Sequence, residues 1–165
     1  MLFLVAGCAN PPEQAAEAPQ PIFTMDPHSH ARPQEARITH LALDLSVDMD
    51  KQEVSGTARY DIATAKDAGR IIFDTHGLTI EGVTTGDGLA AEYSLGDTSF
   101  LGRALEVKLP PDARTVTIAY RTGPEASALQ WLAPQQTAGK QHPFLFTQGQ
   151  AILTRTWIPI QDSPG

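Results

Sequence analysis

From about residue 25 onward, apolar and polar residues alternate in short runs broken by Gly, Pro and Asp. In HLALDLSVD, Leu41, Leu43, Leu45 and Val47 fall on one side and Ala42, Asp44, Ser46 and Asp48 on the other. That period of two predicts a half-buried antiparallel strand with its leucine side turned to a core. The polar DMDKQEV follows as a turn. VSGTARYDI then resumes the alternation through Val54, Gly56, Ala58, Tyr60 and Ile62, so the two runs pair as a hairpin. RIIFDT, LTIEGVTT, LAAEYSL, ALEVKL and TVTIAYR continue the series. Helical periodicity is weak throughout; only PEASALQWL predicts a turn or two of helix, near residues 126–131. The expected fold is all-β, built from short and mostly antiparallel strands, with no internal repeat.

The first 24 residues break this pattern and change the picture. MLFLVAGC sets an apolar run before Val5, Ala6, Gly7 and Cys8, the arrangement of a bacterial lipobox, whose cysteine is lipidated and becomes the mature N-terminus. Small residues suit the cleft of a signal peptidase. A basic n-region and a longer apolar segment are missing, so either the true start lies upstream of Met1 or the segment is no signal and Cys8 is a free thiol. Residues 9–24, ANPPEQAAEAPQPIFT, are rich in Pro, Ala, Glu and Gln and offer little to bury, which reads as a disordered tether. A lipid-anchored body needs such a spacer, so anchor and tether support each other. The expected organisation is a truncated lipoprotein signal over 1–8, a tether over 9–24 and a β domain over 25–165, incomplete at its C-terminal end. With one cysteine, no disulfide forms within the chain.

Charge excludes one class of partner. Twelve Lys and Arg are scattered among 19 Asp and Glu, for a net charge of −7. Nucleic acid is bound by clustered cations that neutralise phosphates, and no such cluster exists. No apolar run reaches the roughly 18 residues that a membrane-spanning helix needs.

Several residues invite chemical readings. Gly86, Gly88 and Ala91 in GDGLAA spell a loose dinucleotide-binding fingerprint, but a strand pattern follows where a phosphate would need a helix N-terminus, so TTGDG reads as a hairpin turn. His28 and His30 in DPHSH, with Asp26, could ligate a metal, yet no further ligand completes the shell, and a surface loop is the plainer reading. His40, His76 and His142 stand alone and read as structural or solvent-facing. No G-x-S-x-G, phosphate loop or H-E-x-x-H occurs, so no serine-hydrolase or zinc-peptidase centre is contained in these residues.

The C-terminal third carries a longer pattern. Ala128, Leu129, Gln130, Trp131 and Leu132, then residues 136–140, then HPFLF, Gln148, Gln150 and Ala151, and finally WIP with Gln161, Asp162, Ser163 and Pro164 stand in order within residues 126–165. This stretch resembles the amino-terminal domain of the zinc aminopeptidases of the leukotriene A(4) hydrolase type, peptidase family M1. DPHSHARPQEARITHLALDLSVDMD resembles that domain's opening strand, and LGRALEVKLP and VTIAYRT its middle, so the likeness covers roughly residues 25–165.

The resemblance implies a saddle-like, mostly antiparallel β domain that packs on its own downstream catalytic domain. That second domain would hold Zn2+ through H-E-x-x-H and a distant glutamate, with a G-x-M-E-N stretch for the substrate amine and a tyrosine for the oxyanion. In the family, a Gln-x-Gln-Ala loop of the amino-terminal domain reaches the cleft. Here it corresponds to Gln150 and Ala151 contacting the N-terminal end of a peptide substrate, with Gln148 lining the same pocket. On an extended segment Gln148 and Gln150 would share a face while Gly149 lets another backbone come close. Ile152, Leu153 and Thr154 depart from the usual Ile-His-small run, Ile160 replaces a common cysteine, and His30 stands where relatives tend to have tyrosine. The expected function is removal of N-terminal residues from peptides by a zinc metalloaminopeptidase. Its expected place is the bacterial cell envelope, lipid-anchored on the periplasmic side of the outer membrane, with a free periplasmic location as the alternative. The competing function is a non-catalytic β-sandwich lipoprotein that binds a peptide or another envelope component.

Overall fold

The structure, a computed structural model, describes residues 25–163 except Asp87, and the readings of Cys8 and the 9–24 tether lie outside the described residues. Ten strands are formed: β1 (Ala36–Asp48), β2 (Glu53–Thr64), β3 (Arg70–Thr75), β4 (Thr79–Thr85), β5 (Leu89–Ala90), β6 (Tyr93–Leu95), β7 (Arg103–Lys108), β8 (Thr115–Arg121), β9 (Leu129–Leu132) and β10 (Phe144–Thr147). Two short 3-10 turns, Pro134–Gln136 and Thr154–Thr156, are the only helical elements among the described residues. The all-β expectation is met.

The strands form a five-stranded sheet in the order β1-β2-β8-β4-β5, a three-stranded sheet β3-β7-β6 and a two-stranded ribbon of β9 and β10; every pair is antiparallel. The predicted β1–β2 hairpin forms with Leu41 opposite Tyr60 and Val47 opposite Val54. Its turn is closed by the Asp48 carboxylate, which accepts from the N–H groups of Asp50 and Lys51. β4 and β5 pair as the expected hairpin, with positive φ at Gly86 and Gly88.

One core fills the space between the two larger sheets. Ala58, Tyr60 and Ile62 of β2, Val83 of β4 and Val116, Ile118 and Tyr120 of β8 meet Ile71 and Phe73 of β3 and Leu105 and Val107 of β7. Two inner faces of alternating apolar residues, each insufficient alone, thereby bury one another. The leucine side of β1 is only partly used: Leu41 and Leu45 reach the core, while Leu43 and Val47 stay 40% and 47% exposed. β1 is a 13-residue edge strand, whereas the opposing strands β3 and β7 have six residues each and leave part of it uncovered.

Two expectations are corrected. LAAEYSL is not one strand: β5 pairs with β4 in the large sheet, and β6 pairs with β7 in the small one. The helical turns near 126–131 give way to β9, which pairs Leu129 with Thr147 and Trp131 with Leu145; helix is confined to single turn bonds such as Leu129 N–H to the Ala126 carbonyl. A four-residue apolar run is ambiguous in period, and the ladder with β10 decides it.

Gly56 shows the backbone constraint most clearly. It sits in β2 at φ 145°, and a Cβ there would run into the Asp44 carbonyl of β1. Gly56→Ala is therefore expected to lower stability by about 1–3 kcal/mol, read as a reduced urea midpoint at unchanged slope.

The core tyrosines make a second expected result. The Tyr60 hydroxyl donates to the Pro159 carbonyl, and its ring lies 4.8 Å from Phe73. The Tyr120 hydroxyl is buried with no partner among the described residues. Burial pushes both phenols above their ordinary value, Tyr60 well above it. A folded-state value raised above the unfolded one contributes stability in full below about pH 10, and that contribution is lost as pH rises through the folded values. The melting temperature is thus expected to fall above about pH 10. Tyr120→Phe removes an unsatisfied hydroxyl, so it should leave neutral-pH stability equal or higher and should shrink the alkaline loss.

Candidate functional site

The β9–β10 ribbon is the platform of the site. Leu129, Trp131 and Leu145 turn inward and pack with Val54, Ala126, Leu45 and Trp157 as a second apolar cluster. Phe144 and Phe146 alternate to the outer face, 54% and 44% exposed. Beyond Thr147 the chain leaves the ribbon as a tight loop over residues 148–153 and enters the Thr154–Thr156 turn.

Gln148, Gln150 and Ala151 are all exposed and stand together on this loop. The conformation is not the expected extended one. The Gln148 side-chain carbonyl accepts from the Gln150 backbone N–H at 3.1 Å, so its oxygen is engaged within the loop. The Gln150 side-chain amide makes no bond among the described residues, and the Gln150–Ala151 peptide is cis. Gly149 does permit a close approach, but by the Thr154 hydroxyl and not by another backbone. At the loop's base Gln148 N–H donates to the Ala128 carbonyl at 2.9 Å and Leu153 N–H to the Gly149 carbonyl at 2.8 Å.

A buried charge cluster, which the sequence reading missed, anchors the segment that follows. Arg155 is 1% exposed. Its guanidinium donates to Leu101 O at 3.1 Å, to His28 O at 2.8 Å and to both Oδ2 and backbone O of Asp162 at 3.2 Å, and lies 3.7 Å from Asp74 Oδ1. Asp74, wholly buried, accepts in addition from Ser29 Oγ, from His30 N–H at 2.7 Å and from Asp162 N–H at 3.1 Å. Ile160 pairs with Asp74 through both backbone bonds, and the Gln161 amide spans Ile38 N–H and the Ala36 carbonyl on β1. The cluster thus ties the 28–30 segment, the 99–102 turn, β3 and the C-terminal segment together. Lone charges in apolar surroundings, Asp74 in RIIFDT and Arg155 in LTRTWIPI, were the available signal, since a charge placed there must be paired.

DPHSH is more than a surface loop: Ser29 is buried, and the backbones of His28 and His30 bond into the cluster. The His28 ring lies 3.3 Å from Asp26 Oδ1, and the His28 backbone N–H, the larger cause, holds the Asp26 carboxyl below its usual value. Among the described residues, no group of three or more His, Cys, Asp or Glu is placed to hold a metal. His40, His76 and His142 are exposed.

Fold and site together define an antiparallel β-sandwich that presents a polar Gln-Gly-Gln-Ala loop on a braced hairpin. Residues 37–165 match the Peptidase M1 N-terminal domain, and the chain belongs to that family. Leukotriene A-4 hydrolase of Xenopus laevis is 40% identical over 146 residues, 84% of this chain and 24% of that protein. Leucine aminopeptidase 2 of Yarrowia lipolytica is 37% identical over 145 residues, 86% of this chain and 22% of that protein. The solved yeast LTA4 hydrolase in complex with bestatin superposes with a TM-score of 0.77 at 27% identity, covering 92% of this chain and 24% of that one. A zinc metallopeptidase of Deinococcus radiodurans shares the fold, with a TM-score of 0.57 at 19% identity over 79% of this chain and 30% of that one. The chain spans about a quarter of the length of the curated relatives it matches.

Proposed function

We propose that this chain is the amino-terminal part of a zinc metalloaminopeptidase that removes N-terminal residues from peptides. Gln150 and Ala151, with Gln148 beside them, contact the substrate's amino end. The observation that carries the reading is the loop: three exposed residues of the family's Gln-x-Gln-Ala pattern stand together, and the Gln150 side-chain amide makes no bond among the described residues. A glutamine carbonyl accepts a hydrogen bond from an ammonium while staying neutral, so it adds no charge to a site already holding carboxylates. In this reading the metal and the groups that act on the scissile bond belong to a downstream catalytic domain on which this domain packs.

The test is hydrolysis of aminoacyl amides by the intact protein. Activity that a zinc chelator abolishes and added zinc restores is the expected result. Binding of peptides without hydrolysis would overturn it and favour the non-catalytic lipoprotein. Residues 1–8 and 9–24 serve in this reading as signal remnant and tether, with Cys8 the lipidated anchor in the bacterial envelope. Labelled palmitate that still incorporates into Cys8→Ala would remove that anchor from the account.

A further inference from the structure

A short circuit of hydrogen bonds closes the loop that carries Gln150, and one side chain is built into it. The Ala128 carbonyl accepts from Gln148 N–H at 2.9 Å, at the front of the loop. The Ala128 N–H donates to Thr156 Oγ1 at 3.1 Å, and that hydroxyl donates in turn to the Leu153 carbonyl at 2.7 Å, at the rear. Leu153 N–H returns to the Gly149 carbonyl at 2.8 Å. Ala128 is wholly buried and Thr156 is 3% exposed, so water does not substitute for the hydroxyl.

We propose that Thr156 is a positioning residue for the substrate contact of Gln150 and Ala151. Its buried hydroxyl sets the distance from Ala128, just before β9, to Leu153, at the end of the loop. The inference rests on the reading that this loop meets the substrate's amino end. A hydroxyl that gives one hydrogen bond and takes another specifies a span in a way that apolar packing does not: without it the buried Ala128 N–H is left unpaired, and the Leu153 carbonyl keeps only the Thr156 backbone N–H at 2.9 Å, which does not reach Ala128. Loosening the rear anchor frees residues 149–153 to shift while Gln150 keeps its own chemistry. Since the amino end is held in ground state and transition state alike, the loss falls on binding and not on turnover.

The test is steady-state kinetics of the full-length protein on a free-amine aminoacyl substrate, with Thr156→Val, Thr156→Ser and Gln150→Ala side by side. Thr156→Val is expected to raise KM about tenfold while kcat stays within about threefold, and Thr156→Ser, which keeps the hydroxyl, to return KM to within about twofold of wild type. A general structural weakness would lower the yield of active protein and so kcat, leaving KM in place. If Thr156→Val does not give soluble protein, Thr156→Ala against Thr156→Ser makes the same comparison. KM unchanged in the hydroxyl-free variant, with KM raised in Gln150→Ala, overturns the role of Thr156 alone. KM unchanged in Gln150→Ala overturns the substrate contact and this inference with it.

Discussion

Arg155→Met is expected to destabilise the domain by about 3–5 kcal/mol, a large share of the roughly 5–15 kcal/mol that keeps an ordinary protein folded. The guanidinium offsets Asp74 and Asp162, both of which stay behind when it is removed, and it satisfies three backbone carbonyls, those of His28, Leu101 and Asp162. The loss is larger than a surface ion pair would give because a buried carboxylate without its partner keeps its full desolvation penalty. Arg70, which bridges Glu35 and Glu106 at about two-fifths exposure, is the internal contrast: Arg70→Met should cost under about 1 kcal/mol. Arg155→Lys keeps the charge without the planar fork and should fall between these two. Chemical denaturation of the three variants, read at constant slope, orders them.

Gln150→Ala in the full-length protein should lower kcat/KM on free-amine substrates about 10- to 100-fold. A hydrogen bond to a charged group is worth about 1.5–3 kcal/mol, and each 1.4 kcal/mol is a factor of ten. Folding should be untouched, because the Gln150 side chain is exposed and makes no bond among the described residues. Ala151→Asp, adding a carboxylate beside the same position, tests the neutrality argument separately. It should alter the pH dependence of KM, which Gln150→Ala should not.

Much of the sandwich was legible because a period of two is a direct imprint of a sheet with one buried face. RIIFDT and TVTIAYR coincide with β3 and β8 residue for residue, and the β1–β2 hairpin follows from its polar turn. What failed depended on partners distant in sequence. Nothing inside LAAEYSL tells that its two ends join different sheets, and nothing inside LQWL shows that β10 waits beyond the 134–143 segment. Leu43 and Val47 read as core although the strands facing them are too short to cover them.

The site divided in the same way. Gln148, Gln150 and Ala151 are proposed through the family resemblance, but an alternation argument drew the loop extended, whereas a side-chain bond folds it. The supporting cluster was missed because Arg155, Asp74 and Ser29 converge only when the C-terminal segment lies along β3. Their pairing is written in no local pattern.

The central claim is that this loop recognises a free amino end, and the most direct measurement is competition binding by the intact protein of one peptide in free-amine and N-acetylated forms. The wild-type protein should prefer the free amine by about tenfold or more, and Gln150→Ala should lose most of that preference while binding the acetylated peptide as before. An undiminished preference in Gln150→Ala would contradict the account.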